Sequence, residues 1–280
     1  MVSQAVGLEA LEERMTGNFD NDLEWNTGTR EDFYAYYEEE SMSTEANTRF
    51  GAIKNTLLRL ITQPQLELSI ADIGCGAGTQ CRMWAEHGHH VFGVDINAAL
   101  IGLARARAKQ AELDIRFDVA SVTALPWPDK SMDLCIALEL LEHVNNWQGC
   151  LSEMARVLKP GGALFISTSN SLCPLQEEFI LPMYSWYPGF AKRYFERLAS
   201  TTRPELAGNA IYPAVNWFTY YELRSHLAGL GFSCMDRFDM IDMERQGRLG
   251  KTLVCLIKKI PVLRFFAHVA TSYTVLLASR

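Results

Sequence analysis

The strongest chemical signal in this chain is a glycine-rich turn bounded by two carboxylates. Residues 72–78 have the sequence D-I-G-C-G-A-G, and Asp95 ends the next apolar stretch. Glycines let the chain turn tightly and let a ligand approach the backbone. A carboxylate after the second strand can accept hydrogen bonds from both hydroxyls of an adenosine ribose. The pattern predicts a nucleoside-binding turn, with ordinary turn glycines as the simpler explanation.

The spacing of the glycines and the charge of Asp72 distinguish between two kinds of ligand. The chain has G-x-G-x-G, whereas nicotinamide-binding domains typically have G-x-G-x-x-G. A carboxylate directly before the turn would repel a diphosphate, but it would attract a cationic sulfonium or an amino group. We therefore favour a nucleoside with a cationic end, and a nicotinamide-dependent oxidoreductase is the alternative enzyme class.

Apolar stretches and helical patterns alternate along the first part of the predicted sheet. Strands are predicted at residues 68–73, 90–95, 115–119, 132–138 and 163–167, and helices at 79–86, 97–109 and 147–157. A further helix at 219–230 and strands at 232–238 and 273–278 follow. Strands that alternate with helices predict a parallel sheet with right-handed crossovers, whose carboxyl edge would carry the turn and Asp95.

Composition narrows the class of protein. The 280 residues are 48% hydrophobic and 21% charged, which suits one large α/β domain rather than a disordered chain. The net charge of −7 disfavours nucleic acid as a partner, because phosphate binding needs a basic surface. The seven cysteines include no C-x-x-C pair, and residues 1–17 lack the apolar core of a signal peptide, so we expect a cytoplasmic protein.

Several segments together resemble the class I S-adenosylmethionine-dependent methyltransferases. Residues 70–78 are similar to the first motif of that superfamily. Its L-P-F-x-D and S-F-D motifs, its L-E-H-V motif and its R-x-L-K-P-G-G motif are matched at residues 125–133, 141–144 and 156–162. The resemblance covers about residues 68–167. Within it, residues 137–143 are similar to the ubiquinone-pathway O-methyltransferases in particular.

The resemblance implies a doubly wound, Rossmann-like α/β fold with a seven-stranded, mostly parallel sheet and a reversed final hairpin. It divides the chain into an N-terminal helical cap over residues 1–60 and a methyltransferase domain over residues 61–280. Aromatic residues at 33–37 would belong to a lid or to a small core of the cap. Two insertions would interrupt the domain, at about residues 170–217 and about residues 243–270.

The resemblance also assigns residues to the cofactor, S-adenosylmethionine. The predicted cofactor-binding residues are Arg49, Asp72, Gly74, Cys75, Gly76, Gly78, Asp95, Ile96, Ser121, Val122 and Leu138. The glycines and Asp72 would hold the methionine end, and Arg49 would pair with its carboxylate. Asp95 would bind the ribose. The adenine would lie on Ile96 beside Ser121, at which relatives often have an aspartate.

Glu139 and His143 are the predicted catalytic residues. The resemblance implies that Leu138 and Glu139, at the end of the fourth strand, lie beside the transferable methyl group, and His143 is a candidate general base. A neutral imidazole suits proton removal from a hydroxyl near pH 7, although we favour a histidine that anchors the loop. In the ubiquinone-pathway relatives, Glu139, Glu142 and His143 would correspond to a cluster linked to a divalent metal. A metal-free loop, in which Glu142 packs the start of a helix, is the favoured alternative.

The two insertions differ in composition. The first is rich in aromatic residues and proline at 179–188, which suits a lid over an apolar or planar acceptor or a subdomain with its own small core. In the second, Pro261 can begin a helix on which Arg264 and His268 share one face, with apolar residues elsewhere. Residues 251–270 would then suit a helix on a membrane surface, with a buried helix or an oligomer interface as the alternatives.

These observations predict an enzyme that transfers a methyl group from S-adenosylmethionine to a small apolar acceptor, such as a quinone precursor, a lipid or a secondary metabolite. Methylation of oxygen is favoured over methylation of nitrogen or carbon. One alternative is a nicotinamide-dependent oxidoreductase, which the G-x-G-x-G spacing and the L-P-F-x-D-like segment disfavour. The other is an inactive adaptor, which the intact glycine turn and Asp95 disfavour. The oligomeric state is left open.

Overall fold

The computed structural model describes residues 41–61, 67–176, 179–206, 214 and 216–280. Most of the predicted N-terminal cap, up to residue 40 and including its aromatic residues, lies outside the described residues. The division of the chain into a cap and a methyltransferase domain therefore stays a prediction.

The described strands are β1 (Ser69–Ile73), β2 (His90–Asp95), β3 (Ile115–Val119), β4 (Met132–Leu138), β5 (Leu158–Ser169), β6 (Ser233–Asp236) and β7 (Tyr273–Ser279). They form one seven-stranded sheet in the order β3-β2-β1-β4-β5-β7-β6. Strands β1 to β5 pair in parallel, whereas β7 runs antiparallel to both β5 and β6. The predicted mostly parallel sheet with a reversed final hairpin is confirmed.

The described helices cover both faces of this sheet. They are α1 (Thr44–Leu60), α2 (Thr79–Ala85), α3 (Ala98–Gln110), α4 (Trp147–Val157), α5 (Gly189–Thr201), α6 (Tyr220–Gly229), α7 (Arg248–Lys259) and α8 (Pro261–Val269). One buried apolar cluster joins Ala71 of β1 to Leu151 of α4. The other joins Ile70 of β1 to Leu57 of α1 and Ile101 of α3. Successive residues of β1 are thus buried on opposite faces, as expected for a doubly wound fold.

Local sequence signals set the ends of several helices. The side chain of Asn97 accepts the N–H groups of Ala99 and Leu100 at 3.0 and 3.1 Å, and α3 begins there as predicted. Thr219 and its partner three residues later form a reciprocal capping box at the start of α6. Pro261 occupies the first turn of α8, which confirms the predicted helix start.

Two strands differ in length from the prediction. β5 begins at Leu158 rather than at residue 163, because the Lys-Pro-Gly-Gly segment that ends α4 continues directly as extended chain. Its pairing with β4 is irregular at this point. β6 is shorter than predicted, because the Oδ1 atom of Asp236 accepts the N–H groups of Phe238 and Asp239 at 2.8 and 3.1 Å and turns the chain out of the sheet.

The two insertions are built differently. The first contains α5 and packs Phe179, Tyr184 and Ala199 into a small core of its own. The rings of Phe179 and Tyr184 stack there with their centroids 4.2 Å apart. The second lies between β6 and β7 and contains the helix pair α7 and α8. Within the described ranges, no helix is long and apolar enough to cross a membrane.

Candidate functional site

The carboxyl ends of three neighbouring strands meet at the glycine turn. Ile73 pairs with Val94 of β2 and with Ala137 of β4, so the residues that follow these strands lie side by side. The N–H groups of Gly74 and Cys75 both donate to the carbonyl oxygen of Val94, at 2.8 and 3.0 Å. The turn is therefore fixed against β2 by its own backbone, at the edge where open α/β sheets bind ligands.

Two of the turn glycines are required by backbone conformation and by packing. Gly74 and Gly78 both have φ near +75°, a region that residues with a side chain rarely adopt. A Cβ atom on Gly78 would lie 2.9 Å from side-chain atoms of both Ala104 and Phe117. Gly78 thus lets α2 approach α3 and β3 closely, a packing role that the sequence motif alone did not reveal.

Asp95 is held in a fixed orientation at the end of β2. Its Oδ2 atom accepts the N–H of Gly76 at 2.9 Å, and its Oδ1 atom accepts the N–H of Asn97 at 2.8 Å. Burial raises the pKa of Asp95, and the backbone hydrogen bonds partly oppose that rise. Each carboxylate oxygen keeps a second lone pair. The half-buried carboxylate is therefore preorganised to accept two further hydrogen bonds, as a ribose diol would supply.

Asp72 lies beneath the turn rather than at its open side. It is buried, with its Oδ2 atom 3.2 Å from the Sγ atom of Cys81 and its Oδ1 atom 3.5 Å from the Nε2 atom of Gln80. Burial raises its pKa to about 7, the Cys81 thiol opposes this rise, and the nearby Asp95 adds to it. Asp72 therefore acts on the site through the turn and through its electric field.

Cys75 fills space inside the turn. Its Sγ atom lies 2.9 Å from the position that a Cβ atom on Gly93 would occupy, so β2 and the turn are in close contact there. Burial raises the pKa of the Cys75 thiol to about 11. Since only the thiolate is nucleophilic, this geometry fits the small filler expected from the sequence and not a reactive cysteine.

Arg49 and Glu139 meet at the open edge of the sheet. The guanidinium of Arg49, on α1, contacts the carboxylate of Glu139 directly after β4, and it lies 5.9 Å from the ring centroid of Tyr273. The backbone of Glu139 has a φ of +49°, and its N–H donates to Ser167 O at 2.8 Å. The sequence predicted both residues separately, but it did not predict this pair, whose members are far apart along the chain.

The loop after Glu139 contains the other predicted catalytic residue. Glu142 is fully buried and accepts a hydrogen bond of 2.7 Å from Thr168 Oγ1. His143 ends the short 3₁₀ helix Leu141–His143, and burial lowers its pKa to about 4. Its imidazole is therefore neutral at pH 7 but only weakly basic, which suits an anchor of the loop better than a general base.

The carboxylates and imidazole of this loop do not converge. Glu142 faces the core, whereas Glu139 faces Arg49 at the rim. In the part of the chain that the structure describes, no group of three or more histidine, cysteine or acidic side chains could hold a metal ion. The metal cluster carried over from relatives as an alternative is therefore not formed by Glu139, Glu142 and His143 in this arrangement.

The predicted adenine side of the site follows β3. The N–H of Ala120 donates to the carbonyl oxygen of Asp95 at 3.2 Å, which brings the next loop beside the ribose position. In that loop the hydroxyl of Ser121 lies 2.8 Å from Thr123 Oγ1 and also accepts the N–H of Thr123. Val122 is buried and Ile96 is half-buried. Ser121 is thus engaged within its own loop, and the assignment of this side to an adenine stays a prediction.

Asn216 is a positioning residue that the sequence did not indicate. Its Nδ2 atom donates to the carbonyl oxygens of Leu141 and Val144 at 3.1 and 2.7 Å, and its N–H donates to that of Glu142 at 3.1 Å. The end of the first insertion therefore holds the loop that contains His143. No local motif marks this role, because all three acceptors are backbone atoms distant in sequence.

Comparison with known proteins finds a similar domain for the part of the chain that contains the glycine turn and Asp95. Residues 71–166, about a third of the chain, match the family model described as "Methyltransferase domain". A solved structure of an S-adenosylmethionine-dependent methyltransferase from Mesorhizobium loti aligns with a TM-score of 0.52 and 20% identity, covering 80% of this chain and 96% of that chain. Residues 71–166 are therefore similar to a methyltransferase domain, and the predicted class I fold is confirmed.

Curated relatives match the same region. The chain is 38% identical over 101 residues to a ubiquinone biosynthesis O-methyltransferase of Coxiella burnetii, which covers 36% of this chain and 43% of that protein. It is 32% identical over 149 residues to the enzyme of the same name in Brucella ovis, which covers 51% of this chain and 57% of that protein. The chain thus spans only about half the length of these relatives, and the predicted resemblance is confirmed over that part.

Proposed function

We propose that this protein is an S-adenosylmethionine-dependent methyltransferase that acts on a small apolar acceptor, with oxygen as the favoured methylated atom. The observation that carries the proposal is the fixed geometry of Asp95, which Gly76 and Asn97 hold at the ribose position beside a G-x-G-x-G turn. When bound, S-adenosylmethionine supplies a methyl group on a cationic sulfonium.

The residues of the edge fit such a cofactor by charge and by polarity. Asp72 and Asp95 place two carboxylates near the turn, and burial raises the pKa of both. A positively charged ligand would favour their ionised forms, whereas a diphosphate would oppose them. The half-buried Ile96 offers apolar surface on the adenine side. The same chemistry argues against a nicotinamide-dependent oxidoreductase.

The chain would contribute position and exclusion of water rather than a covalent nucleophile. In-line transfer of a methyl group requires the acceptor to be aligned within the site, and alignment alone can supply a large part of a rate enhancement. Leu138 ends β4 and Glu139 follows it, at the rim where the acceptor would enter. Glu139, oriented by Arg49, is the better-placed group to receive a proton from an acceptor hydroxyl, and His143 would support the loop.

Several observations support an apolar acceptor. The first insertion leaves Trp186, Phe190 and Tyr194 exposed beside its own small core, and aromatic surface suits a planar or apolar ligand. The matched relatives are named for O-methylation in ubiquinone biosynthesis. A quinone precursor or a lipid is the proposed acceptor class, and peripheral contact of a cytoplasmic protein with a membrane through residues 251–270 belongs to the same proposal.

A titration of the purified chain with S-adenosylmethionine tests the cofactor assignment. Asp95→Asn keeps the size of the side chain but removes its charge, and we expect affinity to fall by about 10- to 100-fold, because hydrogen bonds to a charged group contribute about 1.5–3 kcal/mol each. Asp114→Asn makes the same change at an exposed position away from the edge and should leave affinity unchanged. Binding of a nicotinamide dinucleotide instead would contradict the proposal.

Transfer of a labelled methyl group into a cell extract tests the acceptor class. The extract would be separated into organic, aqueous and protein fractions after incubation with the chain and labelled S-adenosylmethionine. Label in the organic fraction is the expected result. Label confined to the aqueous or protein fraction would overturn the apolar acceptor while leaving the methyltransferase assignment intact.

A further inference from the structure

The helix pair α7 and α8 displays an apolar surface to solvent. Eight large apolar side chains on it are each 40% exposed or more. We call them the outer patch: Leu249, Leu253, Leu256, Ile260, Val262, Leu263, Phe265 and Phe266. In α7 the leucines recur at spacings of four and three residues, which places them on one face of the helix. A contiguous exposed apolar surface of this kind marks an interaction site.

The inner face of α8 is occupied by an ionic cluster. Arg264 Nε lies 2.6 Å from Asp236 Oδ2, His268 Nε2 lies 2.9 Å from the same oxygen, and Arg264 also contacts Asp239. Arg264 and His268 share one face as predicted, but that face points into the protein. These two residues are therefore not the cations that would meet a membrane.

The sequence of the helix pair itself contains basic residues and no acidic ones. Residues 245–280 contain seven of the 26 lysines and arginines and none of the 33 acidic residues, although the whole chain has a net charge of −7. Arg248 and Lys259 are exposed on α7 beside the leucine face. Lys251 is also exposed, but it is two residues from the nearest leucines and lies on the opposite side of the helix. An apolar face bordered by lysine and arginine is the composition of helices that lie in the headgroup region of anionic bilayers.

We infer that the helix pair α7–α8 docks this protein on a membrane surface that carries anionic lipids, with the outer patch in the headgroup region and Arg248 and Lys259 on the lipid phosphates. This extends the membrane contact proposed above and depends on neither cofactor binding nor methyl transfer. With 12 and 9 residues, the helices can only lie along the surface. The ionic cluster beneath α8 fixes the outward orientation of Phe265 and Phe266.

Charge favours a membrane over a second copy of this chain. A symmetric dimer through this surface would oppose identical patches, and it would bring the basic border of one copy, Arg248 and Lys259, close to that of the other. Residues 245–280 offer no carboxylate side chain to neutralise them. An anionic bilayer supplies both the apolar phase and the compensating charge.

Flotation of the full chain with vesicles tests the inference. We expect binding to mixed phosphatidylcholine–phosphatidylglycerol vesicles at least about tenfold stronger than to phosphatidylcholine alone, and weaker as salt is added. The double variant Leu253→Ser with Phe266→Ser should lose at least about tenfold in binding, because both side chains are exposed and belong to the outer patch. Arg248→Glu with Lys259→Glu should lose the preference for anionic vesicles.

Matched controls make the result specific to this surface. Phe190→Ser removes an equally exposed aromatic side chain from the first insertion, and Lys109→Glu reverses an exposed charge at the end of α3; both should bind vesicles like the unchanged chain. Equal vesicle binding by the outer-patch variant and the unchanged chain would overturn the inference. So would a dimer, measured by light scattering, that dissociates only in the outer-patch variant.

Titration with S-adenosylmethionine separates this inference from the proposed function. The outer-patch variants should keep the affinity and the thermal unfolding midpoint of the unchanged chain, because their side chains lie outside the edge of the sheet. A chain that binds vesicles but not S-adenosylmethionine would refute the proposed function and leave the docking surface standing. A chain that binds S-adenosylmethionine but no vesicles would refute the docking surface and leave the methyltransferase assignment standing.

Discussion

Two buried carboxylates at different places in the sheet have opposite electrostatic surroundings. Asp72, beneath the glycine turn, has the Cys81 thiol and the Gln80 amide as neighbours. Asp236, beneath the helix pair, is contacted by both Arg264 and His268. Burial raises the pKa of Asp72 to about 7. Burial acts in the same direction on Asp236, but hydrogen bonds from His268 and Arg264 outweigh it and hold its pKa well below its usual range.

This difference in surroundings indicates that Asp236 is a structural anchor, whereas Asp72 belongs to a functional edge of the sheet. A carboxylate paired with cations stabilises the packing of the elements that carry the pair, since removing one partner leaves the other buried and unpaired. A buried carboxylate without a cation is unfavourable in the free protein, and such groups are typical of binding and catalytic sites. The β1 edge, by which we mean the glycine turn above Asp72, can therefore gain free energy from a cationic ligand. At the β6 edge, the charge of Asp236 is already neutralised by Arg264 and His268.

Removing the charge of Asp236 should have the largest effect on stability. We expect Asp236→Asn to lower the free energy of unfolding by about 3–5 kcal/mol, because it leaves Arg264 without its buried counter-charge and removes the acceptor of His268. Urea unfolding followed by circular dichroism would measure the change. Asp239→Asn is the matched control, since Asp239 contacts the same arginine from a more exposed position.

The control should lose only about 1 kcal/mol, the size typical of partly exposed ion pairs. If Asp236→Asn destabilised the protein no more than Asp239→Asn, the cluster would not be an anchor, and the contrast with the β1 edge would disappear. Vesicle binding by the folded fraction of Asp236→Asn would then also be unchanged, because the orientation of α8 would depend on other contacts.

The parallel half of the fold could be predicted because its signals are local. The observed bounds of β2, β3 and β4 are those predicted, since an apolar stretch closed by turn residues depends only on its neighbours in sequence. The order of the strands and the reversed hairpin were available only through the resemblance. The inward face of α8 was not predictable, because Asp236, the partner of Arg264 and His268, lies on β6 and is distant in sequence.

The candidate site likewise combines features that local sequence predicts with contacts that it does not. The G-x-G-x-G turn and Asp95 were evident, because their residue types and spacing carry the chemistry. The contact between Arg49 and Glu139 joins residues 90 positions apart, and no periodicity connects them. Asp72 was expected to orient the ligand, but whether its carboxylate faces the ligand or the core depends on the packing of α2, which brings Cys81 beneath the turn.

The unbalanced charge of Asp72 should appear as a dependence of stability on pH. The folded protein keeps a proton on Asp72 that the unfolded chain releases above its ordinary pKa of 3.8. Stability from this group is therefore full below about pH 4 and is lost as the pH rises to about 7. We expect the ligand-free protein to lose up to about 3 kcal/mol through Asp72 between about pH 4 and about pH 7, at 1.36 kcal/mol per pKa unit.

Asp72→Asn should remove that part of the pH dependence. Urea unfolding at several pH values, compared between the two proteins, isolates the contribution of this one group from that of other titrating residues. The variant should also bind S-adenosylmethionine less tightly above pH 7, where the native carboxylate is ionised. Parallel stability curves for both proteins would show that Asp72 is not strained by its burial, and the comparison with Asp236 would fail.

Backbone strain at Glu139 tests the same comparison with the smallest expected effect. A φ of +49° disfavours residues with a Cβ atom by about 1 kcal/mol relative to glycine. Glu139→Gly should therefore raise the free energy of unfolding by up to about 1 kcal/mol, whereas Glu139→Gln keeps both the strain and the stability. Methyl transfer should fall in both variants, because both lose the carboxylate beside Arg49.

Lys130 has a φ of +54° at the opposite end of β4, and Lys130→Gly should gain the same stability with unchanged transfer. If Glu139→Gly and Lys130→Gly behaved alike in both measurements, the strain at Glu139 would be an ordinary feature of a turn and not a property of the functional edge.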